Sequence, residues 1–422
     1  MQEIPQMTAL SGPFAQIIGK PMSITLSDRV NALKPSASIA AKAIVNDLRA
    51  QGRRIVDFTI GEPDLDTPPH IIEAAIAAMR AGDTHYTASN GTPALRQAIA
   101  DKLARDNGIT VSPADIVVGC GAKQLIFEAF AATLNDGDEV IVPAPYWVSY
   151  PDIVALNGGR PVILPCARGD DFKLTAPALE AAITPRTRWV ILCAPSNPTG
   201  AIYSSEELAA LAEVLHRHPH VAVMTDDIYE YLTYDGARAD SLLRVDPGLA
   251  GRVLMINGMS KAYAMTGWRI GYAAGPSGVI GAITKLLGQS TTCPSSISQA
   301  AAVEALNGDQ APVREMVALY ERRRNLMHER LSAIPGISCA RPAGAFYIYP
   351  DVSALLGRRT PEGEVIGTDT DLTLYLLKSV GVAVMDGAAY GMSPCLRLSF
   401  ATSEDTIAQG CALIADACAA LK

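Results

Sequence analysis

The sequence predicts an α/β fold, with a mainly parallel, seven-stranded type of sheet carrying helices on both faces and a discontinuous, smaller α+β domain beside it. Three observations lead there. From about residue 66 to 290, short apolar runs alternate with segments of helical period, the pattern of strand–helix–strand units. The later part instead sets strand-like runs near 345–349, 382–385 and 396–400 between helical segments at 294–334 and after Ser403. A chain of 422 residues also exceeds what one hydrophobic core usually serves. The expected division is an N-terminal arm at 1–25, a first piece of the small domain at 26–62, a large domain at 63–310 and the rest of the small domain at 311–422.

Residues 1 to about 24 show no period and read as the arm. From Ser36 to Gly52 the apolar residues Ile39, Ala40, Ala43, Ile44 and Leu48 recur at helical steps, and Gly52 can close that helix. It has few partners nearby in sequence, so it is placed with the tail. Ile55–Ile60 reads as a short strand running into the loop Gly61-Glu62-Pro63-Asp64. Pro69–Ala81 and Pro93–Asn107 read as helices with proline in the first turn, separated by the polar loop His85–Gly91. Strands follow at Asp115–Val118, Glu139–Val142, Arg188–Cys193, Val221–Thr225 and Val253–Ile256. The third leads to Asn197-Pro198-Thr199-Gly200 and a helix opened by Ser204 or Ser205, with Glu206 and Glu207 in its first turn. A cis X-Pro bond is expected there or at Pro145. Residues 355–371 read as an inserted loop.

Composition narrows the function. Apolar residues make up 49% and charged ones 18%, a globular balance, and the net charge of −8 argues against a polyanion-binding surface. The basic run Arg322-Arg323-Arg324 lies in a helical pattern and reads as a solvated face. His216, His218 and His220 read as a solvated cluster at a helix end rather than a metal site. Eight scattered cysteines without a Cys-x-x-Cys pair fit reduced thiols and a cytoplasmic protein. The first twenty residues lack signal-peptide organisation, and no run of about 18 apolar residues suggests a membrane span.

Several residues carry possible chemistry. Lys261 follows the Val253–Ile256 strand, so it stands at a carboxyl edge of the sheet, where ligands bind in open α/β folds. It is either a solvated surface lysine or a desolvated amine able to condense with an aldehyde. Gly119-Cys120-Gly121-Ala122-Lys123 joins a strand to a helix start, which is either a simple turn or an anion site built on the helix N-terminus. Arg269 is a permanent cation suited to phosphate. Asp226, at the end of the Val221–Thr225 strand, is either a strand-end cap or a carboxylate for a buried ring nitrogen. Arg397 interrupts an apolar alternating strand and needs an anion, whether a structural carboxylate or a substrate's. Trp147, Asn197 and Gly61 each have an equally simple structural reading, as core packing or turn residues.

The segment Ser260–Tyr272, with Lys261 and Arg269 eight residues apart, resembles the cofactor-lysine segment of class I (fold-type I) aminotransferases, which use pyridoxal 5′-phosphate, and its wording is most similar to the bacterial aspartate aminotransferases. Further motifs occur in that family's order over roughly residues 26–410. The resemblance implies that Lys261 holds the cofactor aldehyde, that Gly121, Ala122, Lys123 and Arg269 hold its phosphate, and that Asp226 faces its ring nitrogen. It implies that Asn197 and Tyr229 contact its phenolic oxygen, that Trp147 covers the ring, and that Tyr86 reaches the phosphate of a partner subunit in a homodimer. Arg397 and the Gly61 backbone would meet the substrate carboxylate. One departure stands out: several branches carry a phosphate-binding serine three residues before the lysine, and here that position is Gly258. The implied reaction moves an amino group between an L-amino acid, aspartate first, and a 2-oxo acid, 2-oxoglutarate first. Lys34 and Lys123 are the candidates for a distal carboxylate. An aromatic or alanine aminotransferase, or a lyase or decarboxylase of the same fold, are the alternatives.

Overall fold

The computed structural model describes residues 24–33 and 37–422. The segment up to Lys34 forms one unit and Pro35–Lys422 another. In the first, the described residues hold a single short helix, Asp28–Asn31, whose N-terminus the Ser27 hydroxyl caps. Lys34 and most of the expected arm lie outside the described residues.

The strands of the second unit are β1 (Val56–Asp57), β2 (Ile116–Gly119), β3 (Glu139–Ala144), β4 (Arg160–Pro165), β5 (Thr187–Cys193), β6 (Ala222–Asp226), β7 (Val253–Gly258), β8 (Gly271–Ala274), β9 (Tyr347–Ile348), β10 (Val382–Ala383), β11 (Met385–Asp386) and β12 (Leu396–Ser399). Seven of them make one sheet in the order β2-β8-β7-β6-β5-β3-β4, parallel except at β8, which runs antiparallel to both neighbours. Successive residues of each strand feed opposite cores. Val118, Ile141, Val190, Val223 and Val253 belong to one, and Val117, Val142, Ile191, Met224 and Leu254 to the other. A parallel sheet covered on both faces demands that nearly continuous apolar character. β4 and β8 were not anticipated from the sequence. Pro161 and Pro165 obscure β4, an edge strand that tolerates them, and β8 is short and rich in small residues.

The tail builds the antiparallel sheet β11-β12-β9, and β10 pairs in parallel with β1 through Val56↔Val382. Phe58, Phe346, Leu376, Leu398 and Ile407 share a third core there. On the helix Ala37–Ala50, Val45 packs with Leu377 and Ala383. Helices form at Pro69–Arg80, Ala122–Thr133 and Ser205–Arg217, where the sequence places helix starts, the last on the Ser204 cap with a reciprocal Glu207 bond. The Pro93 helix is regular to Lys102, then widens into one π turn before Gly108.

Two expectations are corrected. Arg322-Arg323-Arg324 is not a solvated face. Arg324 is fully buried and donates to both carboxylate oxygens of Asp235 at 2.7 and 3.0 Å, and buried Arg323 donates to Asp64 at 2.8 Å. Three consecutive helical residues fan over about 200°, so a helix packed on a broad side cannot turn all of them to water. The span 355–371 is not simply an inserted loop either. Arg359 bridges Val365, Thr360 and Ile366 are buried, and a helix Asp369–Val380 begins within it, capped by Thr368 and Asp371.

Candidate active site

β5, β6 and β7 end side by side, and their carboxyl ends open into a cavity of about 630 Å³. Its walls include Gly61, Ala122, Lys123, Trp147, Asn197, Asp226, Tyr229, Lys261, Arg269 and Arg397. Residues as far apart in sequence as Arg49 and Arg397 therefore face one space.

Lys261 follows the end of β7, and its Nζ donates to the Gly61 carbonyl at 2.6 Å. Desolvation lowers its pKa to about 8, with Arg397 and Arg269 contributing and Glu62 opposing. About a tenth of the amine is therefore unprotonated at neutrality, far more than for an ordinary lysine, and that is the form that attacks a carbonyl. The tyrosine and phenylalanine rings of Tyr229 and Phe346 lie 5.9 and 5.8 Å from Nζ.

Asp226 is the last residue of β6 and is buried. The Tyr150 hydroxyl donates to its Oδ2 at 2.6 Å, while Oδ1 is buried without a partner. Burial raises the pKa of Asp226, and the Tyr150 hydrogen bond opposes the rise. A carboxylate in that state calls for a cationic N–H donor on its open oxygen. A protonated pyridine nitrogen meets that demand.

At the other end, Gly121 sits at φ +89°, and a Cβ there would come within 2.4 Å of Arg269 Nη2. Glycine thus lets the turn before the helix Ala122–Thr133 close against the guanidinium, which donates to the carbonyls of Thr266 and Cys120 at 3.0 and 3.3 Å. Helix N-terminus and guanidinium together form an anion cradle. At Gly258 a Cβ would lie 2.9 Å from the Ile270 carbonyl, so close packing against β8 leaves no room for the serine that other branches carry. Lys123 Nζ stands 4.6 Å from the Trp147 ring and donates to Ser149 at 3.3 Å; desolvation and then Arg269 lower its pKa.

Arg397, on β12, is buried, with no carboxylate partner among the described residues. Its Nη2 donates to the Thr59 carbonyl at 2.6 Å and Nη1 to Asn197 Oδ1 at 3.4 Å, while Nε is unpaired. The guanidinium stacks 4.5 Å from the Tyr347 ring. Tyr229 and Tyr347 share a hydroxyl–hydroxyl hydrogen bond of 2.9 Å. The peptides Ala144–Pro145, Ala194–Pro195 and Asn197–Pro198 are cis. Of the expected residues, Gly121 and Tyr86 are not among the cavity walls: Gly121 adjoins Arg269, whereas Tyr86 is 88% exposed.

Sequence reasoning missed Tyr150 and Tyr347. Tyr150 stands three residues after Trp147 and stacks edge-on against it at 5.3 Å, so one buried ring supports both that indole and Asp226. Its place in the Pro-Tyr-Trp-Val-Ser-Tyr run was the available signal. Tyr347 sits in a two-residue strand that looked like core alone. The three histidines pair singly, His216 with Asp246, His218 with Glu180 and His220 with the Thr184 carbonyl, and no metal-holding group occurs among the described residues.

Comparison with known proteins agrees over nearly the whole chain. The family model for aminotransferase class I and II matches residues 53–414. A probable aspartate/prephenate aminotransferase of Rhizobium leguminosarum bv. phaseoli is 49% identical, over 94% of this chain and 99% of its own. An aspartate aminotransferase of Rhizobium meliloti strain 1021 is 48% identical over 93% and 96%. Among solved structures, the Rhizobium meliloti aspartate aminotransferase superposes with a TM-score of 0.93 at 47% identity, covering 95% of this chain and all of that one. The Thermus thermophilus aspartate aminotransferase with maleate gives 0.87 at 41%, covering 94% and 100%.

Proposed function

The chain belongs to the class I and II aminotransferase family, and from that premise we propose that it transfers the amino group of aspartate to 2-oxoglutarate. Amino acids and 2-oxo acids are the substrates of such an enzyme, and pyridoxal 5′-phosphate is its cofactor. The observation that carries the assignment of roles is the unpartnered Oδ1 of buried Asp226, a residue that lines the same cavity as Lys261.

In this reading Lys261 would hold the cofactor aldehyde, the turn at Gly121, Ala122 and Lys123 would hold its phosphate with Arg269, and Asp226 would accept from its ring nitrogen. Trp147 would cover the ring, and Asn197 and Tyr229 would bond its phenolic oxygen. Bound there, the group supplies an electron sink for the pair left on the substrate carbon when a proton departs. Arg397 takes the substrate α-carboxylate on its free Nε edge, beside the Gly61 backbone, and so aims Cα at Lys261. With its amine free, Lys261 would take the Cα proton and, as the ammonium, deliver it on the same face to the cofactor's reacting carbon rather than back to Cα. Its lowered pKa suits it to both tasks.

A dicarboxylate needs a second cation. Lys123 is a second cation in the cavity wall besides Arg397, and the Thermus relative was solved with maleate, a dicarboxylate. Arg49 also lines the cavity but pairs with Asp57 at 3.3 Å. Lys123 therefore takes the distal carboxylate in addition to, or in exchange for, its place at the phosphate. Relatives named for prephenate make that acceptor the second one to assay. The exposed Tyr86 supports a homodimer in which it completes the partner's phosphate site. Pairing of β1 with β10 supports a small domain formed by 26–62 together with 311–422, around a large domain at 63–310. Eight free thiols suit the cytoplasm, and no described helix is long and apolar enough to cross a membrane.

The test is the single-turnover reaction of the loaded protein with a panel of amino acids, following visible absorbance and 2-oxo acid release. Aspartate and glutamate should react fastest. Lys261→Ala should retain cofactor and lose about 10³-fold in turnover. Near-normal turnover in that variant, or borohydride trapping on another lysine, rejects the assignment.

A further inference from the structure

A second lysine lies deeper than Lys261 and no step described above uses it. Lys102 ends the regular part of the helix Pro93–Lys102 and is 1% exposed. Its ammonium forms an ion pair with Glu230, donates to Asn107 Oδ1 at 2.7 Å and stands 5.1 Å from the Tyr231 ring centroid. Glu230 Oε2 accepts from Asn107 Nδ2 at 2.8 Å, and Oε1 accepts from Asn257 Nδ2 at 2.7 Å. Asn257 in turn accepts the Gly258 amide on its Oδ1 at 2.7 Å.

The placement of these groups matters more than their number. Glu230 closes the turn that follows β6: its amide donates to the Asp227 carbonyl at 2.9 Å, and it comes directly after Tyr229. Asn257 lies on β7, four residues before Lys261. The network thus ties the turn bearing Asp226 and Tyr229 to the strand end leading to Lys261, and none of its members lines the cavity. Asp226, Asp227 and Glu230 also crowd three carboxylates into five residues. Burial, then Glu230, pushes Asp227 up to about 8, and Lys102 opposes that rise. An amphipathic salt bridge on the surface would do none of this, because water would screen it. A helix needing only a packed end would also be served by an apolar residue at 102.

We propose that Lys102, Glu230 and Asn257 form a buried strut that sets the spacing between the Asp226–Tyr229 turn and Lys261, making them positioning residues for amino transfer. The proposal rests on the reading of the site given above. It implies that loosening the strut disturbs the alignment of Lys261 with the ring held by Asp226, while Arg397 and substrate capture are unaffected.

The experiment uses the cofactor-loaded full chain and the variants Glu230→Gln, Asn257→Ala, Lys102→Met and Lys102→Met/Glu230→Gln. Three quantities are read: the cofactor dissociation constant, kcat and KM for the best amino acid, and the pH midpoint of the visible absorbance change. Circular dichroism establishes folding, and Asn257→Ala keeps the ion pair should Lys102→Met fail to fold. The strut predicts that folded variants lose about tenfold in kcat with KM within twofold, and that the absorbance midpoint moves by at least half a pH unit. It also predicts that the double variant, which removes both charges together, stays impaired. Wild-type kcat and midpoint in folded Glu230→Gln and Asn257→Ala would overturn it, as would full recovery in the double variant, which would leave charge balance alone. An inactive wild-type protein on every amino acid tested would instead count against the functional reading itself.

Discussion

Tyr150 shows how much one hydroxyl can be asked to do. It bonds Oδ2 of Asp226 while Oδ1 is left without a partner, and its ring braces Trp147. A hydrogen bond to a charged group contributes about 1.5–3 kcal/mol. Tyr150→Phe keeps the ring and removes only that bond, so the cofactor dissociation constant should rise roughly tenfold or more, measured by fluorescence titration of the apoprotein. An unchanged constant would mean that Asp226 needs no such support. Lys261 carries a pH signature. Its pKa is lowered to about 8 from 10.5, mainly by desolvation, so the reactive neutral amine increases as pH rises through 8. The rate at which apoprotein captures the aldehyde should climb across that region and level off above it. Stopped-flow measurement between pH 6.5 and 9.5 distinguishes this from an ordinary exposed lysine, whose climb would be displaced toward 10.5.

At the scale of elements, the helix Ala311–Ser332 is held by its own cations rather than floated by them. Arg324 has no exposure, whereas its partner Asp235 is 43% exposed. The two ends of the pair are therefore unequal. Removing the arginine leaves a carboxylate that water can reach; removing the carboxylate charge leaves a guanidinium that water cannot. Asp235 also adopts φ +57°, which asparagine tolerates. Asp235→Asn should cost about 3 kcal/mol or more, and Arg324→Met less. Denaturant midpoints decide the order, and the reverse order would show that Glu321 and the Pro342 carbonyl, 3.5 and 3.1 Å away, satisfy Arg324 without Asp235.

For the molecule as a whole, the question is whether one subunit makes a complete site. The cavity walls come from segments between residue 49 and residue 397, yet Tyr86 stays outside them and exposed. If Tyr86 serves a partner's phosphate, Tyr86→Ala should weaken cofactor binding without altering the fold. Mixing Tyr86→Ala subunits with Lys261→Ala subunits should then restore one full-strength site per hybrid dimer, since the intact lysine and the intact tyrosine meet there. Turnover of the mixed sample at limiting cofactor measures it, because Lys261→Ala homodimers bind cofactor without turning over. Absence of any gain in turnover over the unmixed variants would place Tyr86 in its own subunit's structure.

The sequence by itself determined the class of fold, the main strands and the chemistry. Apolar runs, glycine turns and helix caps are local features, and a lysine, an aspartate and an arginine at strand ends retain their meaning wherever the chain carries them. Only the tertiary structure decided which oxygen of Asp226 is open, why Gly258 replaces a serine, and that Arg323 and Arg324 are buried. It alone brought Tyr150, Tyr347 and Lys102 into play. Each of those depends on groups tens to hundreds of residues apart meeting at contact distance. Desolvation and hydrogen bonding act through space, so no spacing along the chain records them.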